Sequence, residues 1–191
     1  SLGSTVYMVW FLVSLAFLIR LALQVAGVNR LRRLLKTNSW LQKTATSIGH
    51  RIGCSRIPDV RVIDVAMSPS LTGCFRPVIL IPKRLTLEFS QEQLEAVLAH
   101  ELAHYRRGDH LTAMAGLAIR SLCWWNPIAW WAYYELRHSQ EICCDAIAVE
   151  KAQVPKGTYA RSLWSVVKWL DQETAVRVGP SAAMVSNSPN R

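Results

Sequence analysis

The sequence has little charge, and its first 58 residues contain no acidic residue. Charged residues make up 18% of the 191 residues, below the roughly 25% of typical soluble domains, whereas apolar residues make up 51%. A chain this apolar can bury a core, which excludes intrinsic disorder and fits one folded domain. The net charge of +9 indicates contact with a membrane or a polyanion. The chain starts without Met, so we expect it to be part of a longer polypeptide.

The five cysteines form no C-x-x-C pair and no regular spacing. A chain of this size does not need disulfides for stability, so a reducing compartment is expected. Cys143 and Cys144 are adjacent in sequence but belong to an apolar helical stretch, where buried thiols are more common than a redox or metal site. We therefore predict no chemistry for the cysteines.

A long apolar segment begins the sequence. Residues 5–19 carry no charge, and the apolar character continues past Arg20 to Val28, long enough for a membrane-spanning helix of about 20 residues. Basic residues follow this helix, so the positive-inside rule predicts that the remainder of the chain is cytoplasmic. A buried core helix of a soluble protein is the alternative interpretation.

Residues 30–57 alternate basic and apolar positions at helical spacing. The pattern predicts a basic amphipathic helix leaving the membrane, because anionic lipid headgroups attract Lys and Arg. A basic module that binds nucleic acid is the alternative. No recognition motif or row of aromatic side chains accompanies the charge, so no direct contact with nucleic acid is expected.

The pattern changes to strands after Pro58. Residues 59–67 alternate with period two, and a short apolar run lies between Pro77 and Pro82. A small antiparallel sheet is predicted, in which residues 78–81 form an edge strand because prolines stand at both ends. An extended peptide could pair with such an edge, or a loop could cover it.

Signals for helix ends divide the next part of the chain. Ser90 and Gln93 form a capping box that opens a helix over about 91–107, and Gly108 ends it. Asp109 is then expected to cap a second helix.

A second apolar stretch, residues 111–134, contains four tryptophans and is split by Asn126-Pro127. We expect a helical hairpin that contacts the membrane interface, with a hairpin packed in the protein core as the alternative. Further helices are expected from Pro127 to about Glu150 and near 159–170.

The capped helix contains His100-Glu101-x-x-His104, an H-E-x-x-H motif. Histidines four residues apart share one face of a helix, so both imidazoles can bind one zinc ion, with Glu101 beside the attacking water. A chain of this composition would contain the motif by chance only about 0.005 times. Apolar residues surround the motif, so its polar side chains need partners, which a metal supplies. A polar cluster held by hydrogen bonds alone is the alternative.

A catalytic zinc site needs a third protein ligand from elsewhere in the chain. His110 directly follows the predicted helix break, so it can hardly turn back towards the metal. Glu141 and Asp145 stand four apart on a predicted helix, so one can ligate while the other hydrogen-bonds a ligating imidazole. We favour Glu141. The downstream candidates are His110, Glu135, His138, Glu141 and Asp145.

Together these motifs resemble the BlaR/MecR family of membrane-embedded bacterial zinc metallopeptidases, over about residues 2–170. The resemblance implies that His100, His104 and Glu141 are the ligands of one Zn²⁺ ion. It implies that Glu101 is the catalytic general base and that Asp145 holds a ligating imidazole. The motifs that carry it are the H-E-x-x-H helix, Asp109, Trp125-Asn126-Pro127, Trp130-Trp131, Glu141-x-x-Cys144-Asp145 and the segment 73–82.

The resemblance further implies a membrane-bound zinc metalloendopeptidase of the bacterial cell membrane, with its catalytic domain cytoplasmic, serving regulated proteolysis or signal transduction. Its expected partners are membrane lipid and a protein or peptide substrate, with a transcriptional repressor or the protein itself as candidates. A noncatalytic, zinc-stabilised membrane signal transducer is the alternative. Candidates for stabilising the oxyanion are Arg137, His138 and Tyr159.

The predicted fold class is α+β, mainly α: an N-terminal transmembrane helix followed by a zincin-like metalloprotease domain with a small antiparallel sheet. The predicted segments are a transmembrane helix over 1–29, a basic juxtamembrane helix over 30–57, a peptidase domain over 58–170 and a linker-like tail over 171–191.

Overall fold

The computed structural model describes residues 2–178 and is mainly helical with one small sheet, which confirms the predicted α+β class. The predicted tail lies largely outside the described residues, and its first part, 171–178, continues the last helix. The elements are α1 (Leu2–Leu34), β1 (Lys36–Thr37), α2 (Ser39–Ile52), β2 (Asp59–Ile63), β3 (Ser70–Thr72), β4 (Val78–Pro82), α3 (Lys83–Glu88), α4 (Gln91–Arg107), α5 (Asp109–Leu122), α6 (Pro127–Glu150) and α7 (Lys156–Val178).

The first helix, α1, is apolar and largely exposed. Its stretch Leu2–Val28 is long and apolar enough to cross a membrane. Tyr7, Phe11 and Leu23 are each more than half exposed, whereas a core helix of a soluble protein would bury them. Its packing partner is α5. So large an apolar surface requires a non-aqueous environment or a protein partner.

The basic segment predicted as one helix over 30–57 contains the end of α1, the strand β1 and the helix α2. In α2, Asn38 caps the N-terminus by accepting hydrogen bonds from the backbone N–H groups of Trp40 and Leu41. The apolar face of α2, which includes Ile48 and Ile52, is buried in the main core and packs on α4. The amphipathic pattern therefore reflects packing inside the protein.

The sheet is mixed, which corrects the prediction of an antiparallel sheet with residues 78–81 at its edge. The strand order is β1-β2-β4-β3, and β2 pairs with β4 in parallel. The strand β4 is central, and all five of its residues are buried. Pro77 precedes the strand and Pro82 is its last residue, so neither removes a hydrogen bond from the interior of the ladder.

The edge beside β4 is the short strand β3. It pairs antiparallel with β4 through the register Ser70–Leu80 to Thr72–Val78. Gly73 makes the connecting turn with φ +93°, and a Cβ there would lie 2.9 Å from the Arg76 carbonyl oxygen. A side chain at this position would therefore displace β3.

The central helix of the domain is α4, with the bounds predicted from its caps. The Ser90–Gln93 capping box is formed, and Gly108 ends the helix in the left-handed conformation. Leu98 and Leu102 are fully buried. Because α4 packs against α2, α5, α6, α7 and β3, side chains on several of its faces meet other elements. The short helix α3 was not anticipated.

Candidate metal centre

Two histidines of α4 and one glutamate of α6 converge at the site. The Nε2 atoms of His100 and His104 lie 3.2 Å apart. The Oε2 atom of Glu141 lies 3.3 Å from the first and 3.5 Å from the second. The α5–α6 hairpin brings α6 back against α4, which places a residue 37 positions after His104 beside it.

These separations suit a zinc ion. Zinc held tetrahedrally at about 2.0–2.1 Å from nitrogen and oxygen separates its ligands by about 3.3–3.4 Å. The three atoms already lie within a few tenths of an ångström of that spacing, and all three point to one place. The donor set, two imidazoles and a carboxylate, is also one that zinc accepts. The residues present therefore fit the ion.

Glu101 lies between the two histidines in sequence and is almost fully buried, yet it lines the pocket at the site. Burial raises the pKa of its carboxyl group, while the two neighbouring imidazoles and a hydrogen bond from the Leu71 backbone lower it. The net shift is upward. A carboxylate with a raised pKa is suited to accept a proton near neutral pH.

His104 is held by a buried polar cluster. Its Nδ1 lies 2.8 Å from Asp109 Oδ2, an acceptor that would hold the Nδ1 proton and leave the lone pair of Nε2 to a bound metal. Arg107 Nε donates to both oxygens of Asp109 at 3.3 Å. The thiol of Cys144 donates to Asp109 Oδ2 at 3.3 Å and lies 3.2 Å from His104 Nδ1. Asp109 is therefore a partner of His104, and the structure corrects its predicted role as a helix cap, which Gly108 fills.

His100 is held by a second, more open group. Its Nδ1 lies 3.1 Å from Asp145 Oδ1 and 2.8 Å from the Tyr159 hydroxyl, which donates to Asp145 Oδ1 at 2.6 Å. Burial lowers the pKa of His100, but hydrogen bonds to Asp145 and Glu141 dominate and raise it to about 10. Without metal, His100 is therefore a cation near neutral pH, and metal binding must release its proton.

The third member of the cluster, Glu141, is held from its outer side. Hydrogen bonds from His100 and His104 keep the pKa of its carboxyl group well below the ordinary value, against the opposing effect of burial. Arg137 Nη2 donates to Glu141 Oε1 at 3.4 Å, one turn away on α6. The same guanidinium donates to Gln140, whose amide donates to Thr112 of α5. Glu141 is thus ionised, and these hydrogen bonds hold its carboxylate in a position where it can bind a cation.

The other sequence candidates lie elsewhere. Glu135 and His138 are exposed on α6, outside the group of converging ligand atoms. His110 lines the pocket, with its ring stacked on Tyr105 at 5.9 Å between centroids. Tyr159, a candidate for stabilising the oxyanion, is buried and engaged with Asp145 and His100.

A cavity of about 720 Å³ opens at the site. One wall is residues 68–73, which contain the edge strand β3, and another is the apolar face of α5 with Ala113, Met114 and Leu117. The cavity is therefore bounded by the edge strand β3 and an apolar surface, and the three converging side chains also line it.

Sequence reasoning missed three features of the site. Asp109 had a usable signal, because an acidic residue just past the helix end, five residues after His104, can fold back on its imidazole. Tyr159 was named as an oxyanion candidate, but its contact with His100 had no signal, since 59 residues separate the two. The position at the edge of the sheet was predicted for residues 78–81, whereas β3 occupies it.

An H-E-x-x-H helix whose two histidines meet a glutamate from a later helix offers the donor set of a metallopeptidase site. The chain belongs to the BlaR1 peptidase M56 family, whose family model matches residues 2–187. This is a family of membrane metalloproteases, which implies a bound metal ion.

Individual relatives match a shorter stretch. The chain is 36% identical over 78 residues to the regulatory protein BlaR1 of Bacillus licheniformis, covering 41% of this chain and 13% of that protein. It is 35% identical over 78 residues to a protease HtpX homolog of Janthinobacterium sp. (strain Marseille), covering 40% and 27%. A protease HtpX homolog of Herminiimonas arsenicoxydans is 33% identical over 78 residues, covering 40% and 26%. The match thus spans about a quarter or less of each relative.

Proposed function

We propose that the chain is the catalytic part of a membrane-bound zinc endopeptidase. The observation that carries the proposal is the convergence of His100 Nε2, His104 Nε2 and Glu141 Oε2 within 3.5 Å of one another, next to the buried Glu101. In this proposal the three converging residues hold one Zn²⁺ ion, Asp145 fixes the His100 imidazole, and Glu101 is the general base.

In peptide hydrolysis, the metal ion and the residues of the chain would have separate roles. A bound zinc ion would supply Lewis acidity, which lowers the pKa of water towards 7 and polarises the scissile carbonyl. Glu101 takes the proton of the attacking water and delivers it to the leaving amine. Its raised pKa favours the first transfer, because it makes the carboxylate a better proton acceptor.

We place the substrate along β3. The strand is at the edge of the sheet and belongs to the wall of the cavity, and the Leu71 backbone N–H already reaches Glu101. An extended peptide can add to such an edge by main-chain hydrogen bonds. The apolar wall of α5, with Ala113, Met114 and Leu117, favours an apolar side chain next to the cleaved bond.

The setting is a cytoplasmic catalytic domain in a bacterial cell membrane, in regulated proteolysis or signal transduction. The basic residues that follow α1 support the cytoplasmic side by the positive-inside rule. A regulatory role is supported by the name of one relative, the regulatory protein BlaR1. A transcriptional repressor or the protein itself is the kind of substrate this role requires.

The test compares metal content and cleavage in one series of variants. Purified wild type should carry about one zinc and cleave an unfolded protein substrate. Glu101→Gln should keep its zinc and lose cleavage by about a hundredfold or more, because only the proton acceptor is removed. Glu135→Gln, which alters an exposed glutamate of α6, is the matched control and should cleave like wild type.

Two outcomes would contradict the proposal. Wild type that binds zinc yet cleaves no more than Glu101→Gln would favour a noncatalytic transducer that keeps zinc for structure. A chain without stoichiometric zinc would reject the metal centre itself.

A further inference from the structure

The outer part of the α5–α6 hairpin, residues 119–134, which we call the hairpin tip, is an apolar surface that the peptidase core does not cover. Its large side chains are mostly exposed, and several are aromatic. The most exposed of them are Ile119, Trp125, Ile128, Trp131 and Tyr134, each at more than half of its full accessible surface. A soluble surface rarely exposes so much contiguous apolar area without something to cover it.

The hairpin tip lies against α1, so its apolar surface continues that of the candidate membrane span. The indole N–H of Trp10 donates to the backbone carbonyl of Leu122 at 3.0 Å. The rings of Trp10 and Trp125 meet edge to face, with centroids 6.2 Å apart. Next to this contact, the start of α1 and the side chains of Trp124 and Trp125 line an almost wholly apolar cleft of about 590 Å³.

The position of this contact along α1 sets its depth. Trp10 lies eighteen residues before Val28, the end of the apolar span, which is about 27 Å along a helix axis. From the first apolar residue of α5, Leu111, to Leu122 is about 17 Å. Half of a hydrocarbon layer is about 15 Å. Both lengths exceed half of the layer, so if α1 crosses a bilayer the hairpin tip reaches at least its middle.

Several backbone groups of the turn at the tip are hydrogen-bonded within the chain, as a turn in lipid requires. The Leu122 carbonyl accepts from Trp10, and the Trp124 carbonyl accepts from the Trp130 indole at 3.0 Å. The Asn126 side chain accepts from the Ile128 N–H, while the Asn126 N–H donates to the Cys123 carbonyl. Two of these bonds use indole donors from outside the turn, which a turn in water does not need.

The hairpin tip also shields the one full charge that lies well inside it. Between Leu111 and Tyr134 the only charged residue of the sequence is Arg120. Its guanidinium lies 4.5 Å from the centre of the Trp130 ring and 5.0 Å from that of Tyr133. Aromatic faces stabilise a cation most where water is excluded.

We propose that the α5–α6 hairpin is a re-entrant element whose tip is inserted into the hydrocarbon of the bilayer alongside α1. The base of the hairpin carries Asp109 and Glu141, so the metal centre is held at the membrane surface. Lipid is the occupant favoured over a second copy of the chain, because the apolar surface is continuous with α1 and the Leu122 and Trp124 carbonyls of the turn are hydrogen-bonded within one chain.

The experiment places a fluorescent reporter on single cysteines and quenches it from within the bilayer. In a background with Cys74, Cys123 and Cys143 changed to Ser, three variants are labelled with bimane and reconstituted in vesicles. Ile128→Cys, 67% exposed, probes the hairpin tip. Phe11→Cys, 57% exposed, probes α1, and Leu87→Cys, 75% exposed, is the control on α3.

Lipids brominated near the middle of their acyl chains should quench the labels at Ile128 and Phe11 to about half of their emission or less, and leave the label at Leu87 nearly unchanged. Metal content equal to wild type checks that each variant is folded. Quenching at Phe11 but not at Ile128 would overturn the proposal and indicate a protein partner at the tip. No quenching at Phe11 would overturn it as well, because α1 would then lie outside the lipid.

Discussion

The two histidines of the metal centre are held in position by different surroundings. Each presents its Nε2 to the site, and an aspartate holds its Nδ1. On the His104 side, the Asp109 side chain is 5% exposed and enclosed by Arg107 and Cys144. On the His100 side, the Asp145 side chain is 45% exposed and supported by Tyr159. The difference indicates that the His104 side is a rigid support, whereas water can replace part of the His100 side.

The largest effect is expected from removing either imidazole, despite their different surroundings. His100→Ala and His104→Ala should each lose stoichiometric zinc, because two protein ligands hold the ion far more weakly than three. Metal analysis after dialysis measures this. A full equivalent of zinc in either variant would remove that histidine from the ligand set.

The second-largest effect is a loss of zinc affinity that should differ between the His104 side and the His100 side. Changing an aspartate that holds a ligating histidine usually costs 10–100-fold in metal affinity. The zinc affinity of Asp109→Asn should fall about a hundredfold, or about 2.7 kcal/mol, because the enclosed position leaves little access for water to replace the carboxylate. The zinc affinity of Asp145→Asn should fall about tenfold. Competition with a chromogenic chelator gives both values, and equal losses would contradict the comparison.

A smaller effect is expected from the groups behind the aspartates. Tyr159→Phe removes one hydrogen bond to Asp145 and should weaken zinc binding by a few-fold, or about 1 kcal/mol. Cys144→Ala removes a donor to the buried Asp109 and should cost at least as much, whereas Cys144→Ser restores a donor and should recover most of the loss. If Ser and Ala behaved alike, the thiol would serve packing alone.

A separate effect concerns the metal-free protein and its pH dependence. The pKa of His100 is raised to about 10 in the folded state, so the protonated imidazole stabilises the fold fully below its unfolded value of about 6.5. That contribution is lost as pH rises through about 10. The Tm advantage of metal-free wild type over His100→Gln should therefore shrink between pH 6 and pH 10. An advantage that grows with pH would show that the hydrogen bonds to Asp145 and Glu141 are not formed.

Local signals accounted for the helices that carry the site. The capping box at Ser90 and the Gly108 stop bound α4, and Asn126-Pro127 starts α6, because caps and proline act on neighbouring backbone groups. The grouping of Glu141 with the H-E-x-x-H histidines could be anticipated, since a hairpin returns α6 towards α4.

Strand order could not be predicted in the same way. A short apolar run bounded by Pro77 and Pro82 is compatible with an edge or a centre, since both prolines lie at its ends. Only the three-residue strand β3, too short to give a periodic pattern, decides the order. The amphipathic pattern predicted that α2 is a helix, but it could not predict that the apolar face of α2 packs on α4. A membrane surface and a neighbouring helix can both cover apolar side chains.

The most direct test of the metal centre is X-ray absorption at the zinc edge of the purified protein. The account predicts two imidazole nitrogens and carboxylate or water oxygen at about 2.0–2.2 Å, with no sulfur neighbour. Among the described residues, a second group of ligand atoms, His104, Asp109 and Cys144, also lies close enough for a metal. A sulfur atom at about 2.3 Å from zinc would place the ion in that group and contradict the assignment of His100 and Glu141.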